Sequence, residues 1–197
     1  MIITVKAVLL RDRSFSSYVC GEVSPAVNDY ILVKTEYGQE AAVCKTLPES
    51  PPVLKHQLPN IIRKLTGEDM KHLKALAFEE EKAFHEVREL VQKYSLPMKI
   101  SKVCYTFDKR RVFVYYTASS RVDFRALIKD INTAIRMHVQ MVQVSSAECA
   151  RIIGGLGPCG RPFCCAIFQR RHSKHTFSSK TLGPCGKGLC CYSAPNE

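Results

Sequence analysis

The chain has 197 residues, 46% hydrophobic and 24% charged, with a net charge of +11 and ten cysteines. That composition is ordinary for a globular protein of one medium or two small domains. No stretch approaches the about 20 apolar residues of a membrane span, and the opening MIITVKAVLLRDRS lacks the long apolar run and small-residue cleavage site of a signal peptide.

In chain order, residues 1–50 read as a small β-rich domain. The runs ITVKAVLL, YVCGEV, YILVKTEYG and QEAAVCKT are punctuated by glycine, asparagine or proline. Residues 51–65 read as a linker, because four prolines crowd 47–59. An α+β domain is expected over 66–150. Thr66 and Asp69 form the ends of a capping box, and the helix behind it should run to about Tyr94. Leu73, Leu76, Ala77, Phe84, Val87, Leu90, Val91 and Tyr94 recur at helical spacing on its apolar face. Glu79, Glu80 and Glu81 are read as the solvated side. Strands over 98–106 and 111–117 flank a hairpin turn at 107–110. A helix over 122–137 carries Phe124, Leu127, Ile128, Ile131 and Ile135, and a third strand covers 139–144. The order helix, strand, strand, helix, strand is an α+β layer.

Residues 151–197 form a cysteine-rich basic region with seven Lys/Arg against one acid; the rest of the chain has 22 against 17. Within it a ten-residue phrase occurs twice, LGPCGRPFCC at 156–165 and LGPCGKGLCC at 182–191. Cys159, Cys164 and Cys165 of the first are echoed by Cys185, Cys190 and Cys191 of the second. A packed core does not need that register, whereas a soft metal does: thiolates select zinc, copper(I) or iron–sulfur clusters. Gly157, Pro158 and Gly160, with Gly183, Pro184 and Gly186 in the repeat, let tight loops fold around such a group. Zinc favours pairs of ligands two to four residues apart, and vicinal cysteines chelate one ion poorly because their side chains diverge. A cubane needs four thiolates and each motif offers three, so a fourth comes from the other motif or from a partner. Iron–sulfur, zinc and thiol–disulfide chemistry all remain open on these residues alone.

Arg161, Arg170, Arg171, Lys174, Lys180 and Lys187 make the region a surface for an anionic partner, nucleic acid or acidic protein. His172 and His175 read as exposed loop. Cys20, Cys44, Cys104 and Cys149, in or beside strands, read as small core hydrophobes. Phe113 and Tyr115 on one strand face and Tyr116 on the other have the look of an RNA-stacking sheet, but aromatics at this spacing are more often core. Asp108, Asp123 and Asp130 lie near arginines as an acid catalyst would. Asp123 is more simply a helix-start acceptor, and no phosphate loop, nucleophile elbow or zincin motif accompanies them.

YTFDKRRVFVYYTASSRVDFRALIKD followed by GGLGPCGRPFCC resembles the bacterial YaaT/RicT family, which shares a domain with yeast polymerase-suppressor proteins. The likeness extends upstream through RKLTGEDMKHLKAL and ILVKTEYGQEAAV. It implies a non-enzymatic regulatory subunit of a complex carrying iron–sulfur clusters; the residues themselves read as a cytoplasmic protein with a four-iron cluster, or zinc as the alternative. The partners it implies are RicA-like and RicF-like helical proteins and ribonuclease Y, acting in messenger RNA maturation, with RNA contacted directly or indirectly. It makes Cys159, Cys164 and Cys165 the first ligand set and Cys185, Cys190 and Cys191 the second. The chain departs from the family at Lys187-Gly188 and in its short 166–184 connection. Two other readings stand beside it: a zinc- or cluster-stabilised nucleic-acid-binding module, and a thiol–disulfide oxidoreductase.

Overall fold

The computed structural model describes residues 2–50 and 58–164, together with Leu182, Cys185 and Gly186. The first five strands are β1 (Thr4–Leu9), β2 (Phe15–Val19), β3 (Tyr30–Thr35), β4 (Gly38–Cys44) and β5 (Ile61–Lys64). They form one antiparallel sheet in the order β2-β1-β4-β3-β5. The sheet curls into a half-barrel, and a parallel bridge from Val19 to Asn60 draws its two edges together. Alternation drives the curl. Val5, Ala7 and Leu9 of β1, Ile31 and Val33 of β3, and Ala42 and Cys44 of β4 point to the same interior, closed by Tyr18, Cys20 and Ile61. Two details differ from the sequence reading. The second strand starts upstream of YVCGEV and ends at Val19, so buried Cys20 follows it. Ile61–Lys64, expected within the linker, is a fifth strand, because only tertiary pairing with β3 gives so short a run its partners.

The second layer begins with α1 (Gly67–Lys93). The Thr66 hydroxyl accepts the Asp69 N–H and the Asp69 carboxylate accepts the Thr66 N–H, the expected capping box. Strands β6 (Met98–Tyr105) and β7 (Arg111–Ala118) form an antiparallel hairpin. Helix α2 (Arg125–Ile135) crosses over to β8 (His138–Gln143), which pairs parallel with β7. An eight-residue helix not anticipated from the sequence, α3 (Ser146–Ile153), follows directly. Its capping box, Ser145 with Glu148, has the same form as that of α1.

Both faces of the β6-β7-β8 sheet are covered. Val112, Val114 and Tyr116 pack on Ala83, Val87 and Val91 of α1 and Leu127 and Ile131 of α2. Phe113 and Tyr115 pack on the opposite face with Cys104, Val144 and Ile152, against Tyr37 of the β3–β4 hairpin. Phe113, Tyr115 and Tyr116 are only 2%, 3% and 5% exposed, so these aromatics are core and not a stacking platform. Ala77 is exposed while Ala83 takes the seam, a shift of the apolar stripe along α1. Glu80 is not on a solvated side: it accepts the Tyr105 N–H at 2.9 Å, and burial holds its carboxyl above the usual range.

The two layers join at a buried cation. The Arg11 guanidinium lies 4.0 Å over the Phe113 ring and donates to Glu40 at 2.6 Å and Asp12 at 3.1 Å. Lys102 donates to the Arg11 carbonyl at 2.9 Å, and the Phe107 N–H donates to the Gln39 carbonyl at 2.8 Å. A buried arginine is tolerated only with such partners.

Candidate metal centre

Helix α3 delivers the chain to the first cysteine motif and stops at Gly154, whose φ of 77 and ψ of −168 lie in a region that only glycine adopts readily. The loop behind it is a tight hairpin. The Gly160 N–H donates to the Gly157 carbonyl at 3.0 Å, the Gly157 N–H donates to the Arg161 carbonyl at 2.8 Å, and Leu156 bridges Pro162. The sequence explains the turn. Pro158 pre-sets its backbone at the second position, and Gly160 takes the left-handed φ of +73 that closes it. Cys159 is thereby held at the exposed tip, while Cys164, after the turn, is buried at 8% exposure.

The second motif shows the same local state at each described position. Leu182 is a bridge residue like Leu156, Cys185 is a turn residue like Cys159, and Gly186 has a φ of +75 beside the +73 of Gly160. At these three described positions the repeat in sequence is also a repeat in backbone state. Cys165, Cys190, Cys191, Gly183 and Pro184 lie outside the described residues, as do Arg170, Arg171, His172, Lys174, His175, Lys180 and Lys187. Among the described residues no three His, Cys, Asp or Glu side chains gather around one point.

The donors present fit a soft metal in kind. Cys159 and Cys164 are thiols that make no disulfide. Gly157 leaves open the space next to the Cys159 sulfur, which would stand 3.7 Å from an added β-carbon. Arg151, in the last turn of α3, has a buried Nε–H with no hydrogen-bond partner among the described residues. Arg161 is exposed. Two residues with a bearing on the loop escaped the sequence reading: Arg151, and Arg13 of the β1–β2 turn, which packs on Gly154. Helix α3 could have been found from Ser145-x-x-Glu148, whereas nothing local signals Arg13.

The remaining cysteines separate from this set. Cys20 and Cys44 are buried, and burial raises both thiols above the usual range. Cys104 is pushed up to about 12 by burial. Cys149 lies on α3, half-buried, with its thiol 3.1 Å from the Ser101 hydroxyl. Buried thiols such as those of Cys20, Cys44 and Cys104 are poor ligands and poor nucleophiles. The three aspartates are held in the fold. Asp108 accepts the N–H groups of Gln39 and Arg110, Asp123 accepts the Arg125 N–H, and Asp130 accepts the Tyr94 hydroxyl.

Residues 59–144, from the approach to β5 to the end of β8, match the PSP1 C-terminal conserved region. It is 34% identical over 142 residues to the stage 0 sporulation protein YaaT of Bacillus subtilis, an alignment covering 70% of this chain and 51% of that protein. It is 25% identical over 156 residues to an uncharacterized protein of Schizosaccharomyces pombe, covering 64% of this chain and 21% of that one. The chain therefore spans about half the length of YaaT, and the matched family region ends before the first cysteine motif. No solved structure matches the chain. No helix among the described residues is long and apolar enough to cross a membrane.

Proposed function

We propose that the chain is a non-enzymatic cytoplasmic regulatory subunit that holds an iron–sulfur cluster through its two cysteine turns. In this reading it acts with small helical proteins of the RicA and RicF kind on ribonuclease Y-dependent maturation of messenger RNA. The observation that carries the reading is the repeated turn, with Gly160 and Gly186 in one backbone conformation beside Cys159 and Cys185. Likeness to a sporulation protein suits a regulatory rather than a catalytic role.

A cluster would supply a redox- and oxygen-sensitive link, since its thiolate bonds are lost when its iron is oxidised away. The chain's own part is to present Cys159 at an exposed tip, keep Cys164 out of water, and place the basic Arg161 beside an anionic centre. Cys165, Cys185, Cys190 and Cys191 complete the proposed set, with Gly183 and Pro184 shaping the second loop and Arg170, Arg171, Lys174, Lys180 and Lys187 supplying charge.

The test is iron and sulfide per chain after anaerobic purification, alone and with the helical partners. Weak, substoichiometric iron on the lone chain that rises with the partners is expected if each motif's three thiolates are completed from outside. A full cluster that no partner alters means ligation within one chain. Zinc without sulfide would overturn the iron–sulfur reading, and turnover of a disulfide substrate would overturn the non-enzymatic one.

A further inference from the structure

A cavity of about 200 Å³ lies where the half-barrel meets the second layer, and none of the cysteine-loop residues lines it. The end of β1 and its turn contribute Arg11, β4 contributes Glu40, α1 contributes Ala77 and Glu80, and β6 contributes Lys102. Ala77 is exposed, which puts it at the mouth, whereas Glu40 is buried. The volume is that of about seven waters at about 30 Å³ each, and ordinary ligand pockets begin near about 300 Å³. The space therefore suits a compact molecule and not a nucleotide or a peptide.

Two side chains on its wall carry buried polar atoms without a hydrogen-bond partner among the described residues, Arg11 Nε and Glu40 Oε2. Both side chains lie deep, at 10% and 3% exposure. Their other polar atoms are engaged. Glu40 Oε1 accepts from Arg11 Nη1 at 2.6 Å and from the Thr35 hydroxyl at 3.3 Å, and Arg11 Nη2 donates to Asp12 at 3.1 Å. Phe113 and Tyr37 approach the guanidinium at 4.0 and 5.3 Å. The Lys102 ammonium donates only to a neutral acceptor, the Arg11 carbonyl, at 2.9 Å. Burial holds the Glu40 and Glu80 carboxyls above the usual range even with Arg11 and Lys102 nearby. A buried donor and a buried acceptor left open on one wall call for an occupant that carries both kinds of group. Leu73, Leu76 and Ala77 make another wall apolar. Water would answer the two open atoms and gain nothing from that apolar wall.

We propose that this cavity binds a free α-amino acid with a small aliphatic side chain. The ligand carboxylate accepts from Arg11 Nε and the Lys102 ammonium, the ligand ammonium donates to Glu40 Oε2, and the side chain rests on Leu73, Leu76 and Ala77. Two cations, Arg11 and Lys102, and two carboxylates, Glu40 and Glu80, line the space, so its charge matches a zwitterion. A plain carboxylate or a plain amine would leave one of the two open atoms unanswered and bury an unbalanced charge. Because the walls come from both layers, the occupant stabilises the joint between them by mass action. The site does not depend on a metal at the cysteine loops.

The experiment is thermal melting and titration calorimetry of the full chain, metal-free and metal-loaded, with leucine, isoleucine and valine. At least one should bind with a Kd of about 1 mM or less and raise the melting temperature by about 3 °C or more at about 10 mM ligand. Isopentylamine, which is leucine without its carboxylate, and 4-methylpentanoate, which is leucine without its amino group, should each bind at least about tenfold more weakly. Lys102→Met should weaken binding of the amino acid by about tenfold or more. Ala77→Phe, at the exposed mouth, should abolish binding by filling the space while the free chain still melts cooperatively. Metal-free and metal-loaded chains should bind alike, which separates this site from the cluster proposal. Failure of the wild-type chain to bind any of the three would mean that water alone fills the cavity and would overturn the assignment. Equal binding of the amine or the acid would overturn the zwitterion. Undiminished binding by both variants, or binding that requires the metal, would place the site elsewhere.

Discussion

Arg13 lies directly over Gly154: a β-carbon on that glycine would come 2.5 Å from the Arg13 Nη1 atom. The contact joins the turn between the first two strands to the root of the cysteine loop, 141 positions later in the chain. Gly154→Ala should therefore cost about 1–3 kcal/mol, from a backbone region closed to alanine and from the clash itself. Arg13→Ala in that background should recover only the clash. A double-mutant cycle by thermal melting measures the coupling, expected at about 0.5 kcal/mol or more. Additive effects would mean that the two residues do not meet.

Cys159→Ser should abolish metal binding and leave cooperative melting of the rest. Its side chain stands at the tip of a hairpin, and the three apolar clusters upstream close without it. Metal analysis together with a melting curve checks this. An apoprotein unfolded throughout, as zinc fingers are, is the contrary outcome.

Cys104 and Cys44 should behave in the opposite way. Alanine at either should leave metal content unchanged and cost about 1 kcal/mol through lost packing. Burial pushes the Cys104 thiol up to about 12, so almost none of it is thiolate at pH 8. Iodoacetamide on the native, metal-free chain should label Cys159 and spare Cys104, read residue by residue by peptide mass. Equal labelling would show that the β6 face opens readily.

Two carboxylates should give opposite pH signatures. Hydrogen bonds from Arg63, with Thr66, hold Asp69 well below the usual range. Its contribution is present above the ordinary value of about 3.9 and is lost as pH falls below it. Asp69→Asn should lower the melting temperature at pH 7 and converge on wild type in strong acid. Glu80 is raised by burial, partly offset by the Tyr105 N–H and Lys102, so its ionised form disfavours the fold at neutral pH. Glu80→Gln should raise the melting temperature at pH 7, with the gain fading as pH falls through the raised folded-state value and gone below the ordinary value of about 4.3. Melting curves from pH 2 to 8 decide both signs.

The sequence alone determined the features that rest on local chemistry. The start of α1 was legible because Thr66 and Asp69 satisfy backbone groups within one turn. The β6–β7 hairpin was legible from its alternation, and the cysteine turns from Pro158, Gly160 and their repeat. Tertiary structure decided what depends on residues far apart in the chain. Strand β5 exists because β3 offers it a ladder, and no four-residue run announces that by itself. Glu80 is drawn inward because the Tyr105 N–H needs an acceptor. Arg11 is buried because Glu40, Asp12 and Phe113 converge on it from three parts of the chain, and Arg13 reaches Gly154 across the joint between the layers. A capping box or a turn is written within four residues, whereas a burial site for charge is made only when distant strands meet.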